Sequence, residues 1–138
     1  MTPTHDPMAW LILMYALHVY SCRMAESGMR EPNFLVLTAL AEKPQHGYAI
    51  IRDVEELSDG RIKLHTGSLY AMLDRLREAG LIEIDREEVV ESRLRRYYRL
   101  TNDGIARLVR ETAYLQRAAA AATARLKAGR RLASEGNP

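Results

Sequence analysis

The sequence predicts a mainly α-helical chain with one small β-hairpin and a long closing helix, and three observations predict it. Apolar residues recur at helical spacing through three short segments in succession after residue 32. Directly after Gly80 the period changes from helical to alternating, as a strand requires. Residues 105–126 then repeat their apolar positions in steps of three and four, a heptad seam. With 138 residues, 47% of them apolar, the chain has the size of one domain with a real core and an extra segment at one end.

Residues 1–28 stand apart. Their only charged groups are Asp6, Arg23 and Glu26, and residues 8–20, "MAWLILMYALHVY", are apolar apart from His18. That run is too short to span a bilayer core of about 30 Å, and "MTPTHDP" lacks the basic start of a secretory signal. The "VYSC" ending at Cys22 is a poor lipoprotein site, because bulky Tyr20 stands where a small side chain is required. Two roles are expected together: an extra helix packing on the domain or a partner, and an extension upstream of a natural start at Met29. A membrane-associating segment is the third reading, although stable insertion is not expected. The composition shift at Ser27-Gly28-Met29 sets the boundary of the next unit, residues 29–100.

Within that unit, Phe34, Leu35, Leu37, Leu40 and Ala41 make a short buried helix, ended before Pro44 because the residue preceding proline avoids the helical region. The spacing predicts a second helix over Gly47–Leu57, with Tyr48, Ile51, Val54 and Leu57 on its inner face, closed by the turn residues "SDG". The third helix, in "HTGSLYAMLDRLREAGLI", buries Leu69, Met72, Leu73 and Leu76. Thr66 serves as its N-cap and Gly80 as the glycine just past its end. Leu81, Ile82, Glu83, Ile84 and Asp85 then read as a strand, and "RRYYRL" as the returning one. The intervening "REEVVESRL" lacks the Asn-Gly signal of a tight turn.

Thr101 caps the last helix, with Asp103 in its first turn, where the helix dipole favours negative charge. Ile105, Leu108, Thr112, Leu115, Ala119, Ala122 and Leu126 form the heptad seam. A helix so long exceeds what a domain of this size covers, so residues 101–128 are expected to form a homodimer interface. Residues 129–138, "GRRLASEGNP", read as a frayed, flexible tail.

The net charge of +2 is too small to define a partner, but its distribution is informative: arginines stand at 86, 93, 95, 96 and 99, on the expected hairpin. Helix, helix, short turn, helix and hairpin is the order of a winged helix-turn-helix, whose recognition helix enters the DNA major groove. The first turn of the third helix offers small hydroxyls and free N–H groups that suit a phosphate, and Gly67 permits close backbone approach. Lys63, His65, Thr66, Gly67, Ser68, Tyr70 and Arg75 are the candidate DNA contacts there, with Arg93, Arg95 and Arg96 on the wing. Each has a plainer reading: Tyr70 packed in the core, Arg75 and Arg77 paired with Asp74 and Glu78, and the basic hairpin a solvated face.

Other chemistry is not expected. Cys22 is alone, which forbids an intrachain disulfide and agrees with a reducing cytoplasm. His5, His18, His46 and His65 share no metal-ligand spacing, so no metal is expected. Ser68 lacks a base with an acidic orienter, since His65 stands only three residues earlier at the helix mouth, so no enzyme and no cofactor is expected.

The chain resembles the PadR family of bacterial transcriptional regulators over residues 32–126. The matching segments are "HGYAIIRDVEELSDGRIKL" from His46, "GSLYAMLDRLREAGLI" from Gly67 and "RRYYRLTNDG" from Arg95. The resemblance implies a dimeric repressor on double-stranded DNA with a palindromic operator, and it places Ser68 and Tyr70 on the DNA-facing start of the recognition helix. It also implies release by a small hydrophobic or aromatic effector, for which Trp10 is a candidate lining residue. Two features depart from the family pattern: His65-Thr66 replaces the small or proline residues common before this glycine, and residues 1–28 lie outside the match. The rival expectation is a protein-interaction module that keeps the winged fold without binding DNA.

Overall fold

A computed structural model of the chain describes residues 8, 9, 11–14 and 28–136. Residues 8, 9 and 11–14 are helical and exposed. Trp10, His18, Tyr20, Cys22, residues 15–27 and the expected boundary at Ser27 lie outside the described residues, and none of the described helices is long and apolar enough to cross a membrane.

The ordered chain runs α1 (Glu31–Ala39), β1 (Gln45–His46), α2 (Gly47–Leu57), α3 (Thr66–Glu78), β2 (Ile82–Val90), β3 (Arg93–Leu100) and α4 (Asn102–Glu135). The sheet is three-stranded and antiparallel, of order β1-β3-β2; α3 packs against β2 and α2, and α1 packs against α2 and α4. The core lies between them: Val36, Leu37, Ile50, Val54, Leu69 and Leu73 are wholly buried, and Ile82 and Tyr98 complete it from the sheet. Helix α1 sits inside this core, which explains its near-continuous apolar run "FLVL". Its expected member Ala41 lies beyond the helix end and is exposed.

Helix α2 has the expected bounds and a different inner face. Gly47, Ile50 and Val54 are buried, whereas Tyr48 is 73% exposed and Leu57 is also exposed. Steps of three drift around a 3.6-residue helix, so the run Tyr48, Ile51, Val54, Leu57 cannot stay on one side. The "SDG" turn closes α2 with Asp59 and Gly60 both at positive φ, and the Gly60 N–H reaches back to the Glu55 carbonyl at 2.8 Å.

Helix α3 buries the expected Leu69, Met72, Leu73 and Leu76. Its N-cap is His65 rather than Thr66, which is the first helical residue. The end matches expectation: Gly80 has φ +75°, its N–H bonds the Arg77 carbonyl, and the Leu81 N–H bonds the Leu76 carbonyl at 3.0 Å.

The β2–β3 hairpin pairs Ile82 with Leu100 through to Val90 with Arg93, with an irregularity between Ile84 and Arg86 that leaves Asp85 unpaired. Its tip is a two-residue loop, Glu91-Ser92, with both residues at positive φ (50° and 63°). This is the tight hairpin geometry usually taken by Asn-Gly, made here without either residue. Strand β1 is the element that sequence periodicity does not announce, because two polar residues carry no pattern; Gln45 pairs with Tyr98 and His46 with Tyr97.

Helix α4 starts at the expected cap, where Thr101 Oγ accepts from the Gly104 N–H at 3.0 Å. It continues through Gly129 to Glu135, so the stretch expected to fray is helical. Five strong helix formers surround that glycine, among them Leu126, Lys127, Arg130 and Arg131, and one glycine costs about 1 kcal/mol, too little to end such a helix.

Candidate nucleic-acid interface

Every candidate contact lies at the surface. Lys63, His65, Thr66, Gly67, Ser68, Tyr70, Arg75, Arg93, Arg95 and Arg96 are all exposed. The first seven are displayed by α3 and the segment leading into it, because Leu69, Met72, Leu73 and Leu76 turn the opposite side of the helix into the core. The start of α3 is therefore held rigidly while its outer face stays open.

Local chemistry shapes that start. Ser68 Oγ donates to the His65 carbonyl at 2.9 Å and accepts from the His65 N–H at 3.2 Å, which closes the first turn. The Ser68 hydroxyl thus sets the helix start, while the N–H groups of the first turn point outward with the positive end of the helix dipole. Tyr70 is 45% exposed, neither free nor a packed core ring. A Cβ at Gly47 would stand 3.0 Å from the Tyr70 hydroxyl, so Gly47 leaves that phenol its place. Arg77 meets Asp74 at 3.9 Å, whereas Arg75 has no ion pair among the described residues. Lys63 lies 3.8 Å from Glu55.

The wing divides its arginines between two faces. Alternation along β3 puts Arg96 on the side of Tyr98, which faces the helices, and puts Arg93, Arg95, Tyr97 and Arg99 on the other. On the outer face Arg86 stacks over the Tyr97 ring at 3.9 Å, and His46 meets that ring edge-on at 5.4 Å. Arg86 also reaches Glu88 at 2.9 Å and Asp85 at 3.0 Å, and Arg99 reaches Glu83 at 2.8 Å. On the helix-facing side Arg96 Nε donates to Glu87 at 2.9 Å.

These contacts shift the titrating groups. Bonding to Glu88 and then Asp85 raises Arg86, and the same contact with Arg86 holds the Glu88 carboxyl below its usual value. The Glu87 bond raises Arg96. Burial pushes Tyr98 up, helped by the nearby Tyr70 phenol. His46 is lowered by burial first and then by Arg95. Among the described residues no group of His, Cys, Asp and Glu could hold a metal.

This arrangement has known counterparts. The family model described as "Transcriptional regulator PadR-like family" matches residues 36–110, more than half of the chain. The chain belongs to that family. Its members are transcriptional regulators and not enzymes.

Among solved structures, the chain is similar to a PadR family transcriptional regulator from Eggerthella lenta, with a TM-score of 0.53 and 27% identity over 86% of this chain and 96% of that one. Bacillus subtilis PadR in complex with operator DNA shares the fold, with a TM-score of 0.51 and 22% identity over 57% of this chain and 46% of that one. The transcriptional regulator YqjI of Escherichia coli K12 is 36% identical over 61 residues, 44% of this chain and only 30% of that protein.

The PadR-like match takes in the last four residues of α1 together with α2, α3, the wing and the first quarter of α4. It begins at residue 36 and ends at residue 110, short of the distal part of α4. Tyr48, like Leu57, is a surface residue that a step of three places on the wrong side. It follows the Gly47 that faces Tyr70, and a 3.6-residue wheel centred on Ile50 and Val54 would have turned it outward.

Proposed function

We propose that this PadR-like regulator is a dimeric repressor that binds double-stranded DNA at a palindromic operator. The observation that carries the reading is the open first turn of α3, Thr66 to Tyr70 in sequence, beside a wing whose Arg93 and Arg95 make no ion pair within 4.0 Å among the described residues. The α3 face enters the major groove, its exposed first turn and Arg75 meet base edges and phosphates, and the wing arginines meet the backbone. The operator DNA bound by Bacillus subtilis PadR, whose fold this chain shares, supports that assignment.

The dimer forms through α4. From residue 114 onward every described position of this helix is exposed in a single chain, including Tyr114, Leu115, Leu126 and Leu132. Of the seam, only Leu108 packs against the core, with Thr112 half-buried. An unpartnered apolar seam on a helix of 34 residues is what a second copy would cover, and it would space two α3 helices to read two half-sites. A small hydrophobic or aromatic effector releases the operator by favouring the DNA-free arrangement of the dimer.

Binding of the purified protein to DNA from upstream of its own gene, against scrambled DNA, tests this reading. Selective binding that weakens steeply with salt is expected, and its slope counts the phosphates neutralised. Equal, weak binding to both fragments would instead favour a winged module that binds protein.

A further inference from the structure

The wing carries one anion of its own, Glu87, on its helix-facing side. Glu87 and Arg96 are directly opposed across β2 and β3, and Arg96 Nε donates to Glu87 Oε1 at 2.9 Å with both side chains close to half exposed. Arg96 is two residues from Tyr98, so the pair projects from the helix-facing side of the wing. By contrast Arg93 and Arg95, on the opposite face, have no carboxylate within salt-bridge distance among the described residues. Arg96 is therefore the arginine of the helix-facing side that already holds an anion, as Arg86 and Arg99 do on the other face.

We propose that Glu87 occupies, in the DNA-free protein, the place on Arg96 that a DNA phosphate takes on binding, and so sets the wing's affinity by competition. The inference rests on the reading of this face as a DNA interface. Its chemistry is that of exchange between two oxyanions on one guanidinium. Arg96 gives its Nε–H to Glu87 and also meets the Tyr98 hydroxyl, and its five N–H donors leave others able to engage a phosphate first. An exposed pair of this kind is weakly held and screened by salt, so a phosphate can displace the carboxylate.

The test is equilibrium binding of the full chain to its selected upstream fragment and to scrambled DNA at low and moderate salt. Wild type, Glu87→Gln, Arg96→Gln and the double variant are compared. Glu135→Gln, the same charge change at the far end of α4, is the control. Glu87→Gln is expected to tighten binding about two- to five-fold at low salt, the range an exposed ion pair spans, with the gain shrinking as salt rises. Arg96→Gln is expected to weaken binding, and in its background Glu87→Gln should have no effect. An unchanged or weaker Glu87→Gln overturns the inference, and so does a gain that persists without Arg96 or is matched by Glu135→Gln. Those outcomes leave the DNA reading standing, because the wild type would still select its fragment. A wild type that binds both DNAs equally would remove that reading and this inference together.

Discussion

The methyl that an alanine would place on Gly104 falls 1.9 Å from the carbonyl oxygen of Leu81. At the same joint the Thr101 N–H donates to the Leu81 carbonyl at 3.1 Å, and Thr101 Oγ donates to the Gly80 carbonyl at 2.6 Å. The start of α4 is thereby seated on the loop that ends α3, with no room for a side chain between. Helix and loop meet backbone to backbone, so α3 and the helix proposed to make the dimer are fixed to each other at this point.

Gly104→Ala is therefore expected to lower stability by about 2–3 kcal/mol, as overpacking against backbone does. Thr101→Ala should cost about 1 kcal/mol through its cap. Urea unfolding followed by circular dichroism measures both, and an unchanged midpoint for Gly104→Ala would refute the close approach.

The wing tip is open to improvement. Ser92 holds φ 63° without being glycine, a conformation disfavoured for any residue with a Cβ. Ser92→Gly should stabilise by about 0.5 kcal/mol, since relief of the left-handed strain exceeds the entropy that glycine loses on folding. The same unfolding experiment shows it as a higher midpoint.

Gly47 is expected to act on DNA binding through Tyr70. A methyl at Gly47 would press on the Tyr70 hydroxyl at 3.0 Å, which moves the phenol rather than the backbone. Gly47→Ala should weaken operator binding several-fold while the melting temperature shifts little, and Tyr70→Phe in the same chain should restore part of the loss. A steric cause predicts that rescue; a general loss of fold does not.

Acid should weaken the fold through His46. Its Nδ1 accepts from the Ala49 N–H at 3.4 Å at the start of α2, and burial and then Arg95 lower its pKa below 6.5. Between 6.5 and that lower folded value, the unfolded chain binds a proton that the folded chain refuses. Stability is thus fully present above about 6.5 and declines as pH falls through this window. His46→Asn, which keeps a capping oxygen and cannot titrate, should flatten the pH dependence of the thermal midpoint over that range.

Self-association should depend on the outer part of α4. Leu115 and Leu126 are 41% and 69% exposed in the single chain, so placing a charge there does not disturb this domain's core. Leu115→Asp with Leu126→Asp should leave the helical spectrum intact and lower the mass seen by sedimentation to that of one chain. A dimer that survives both changes would move the interface elsewhere.

Much of this arrangement was legible in the residues, and where it was not the reason is physical. Periodicity and punctuation located α2, α3 and the start of α4, because Ser58, Gly60, Gly80 and Thr101 each have one local job. The inner face of α2 was misread by treating a step of three as a helical period. Gly129 looked like an ending, yet propensity over the surrounding residues outweighs one glycine. Strand β1 and the Glu91-Ser92 turn depend on tertiary pairing, to which two polar residues give no pattern. The ten candidate contacts are all at the surface, but which wing arginines are already paired depended on the register. Glu87 falls opposite Arg96 only because Asp85 is left unpaired at the irregularity.

The central claim is that the start of α3 and the wing form one DNA-binding face. Amide chemical-shift mapping on titration with the upstream fragment tests it most directly. The account predicts that the largest changes fall on residues 65–70, on Arg75 and on residues 93–96, with the outer face of α2 at Glu55 and Glu56 silent. Changes concentrated on α2 or the distal half of α4, with residues 65–70 unmoved, would contradict it.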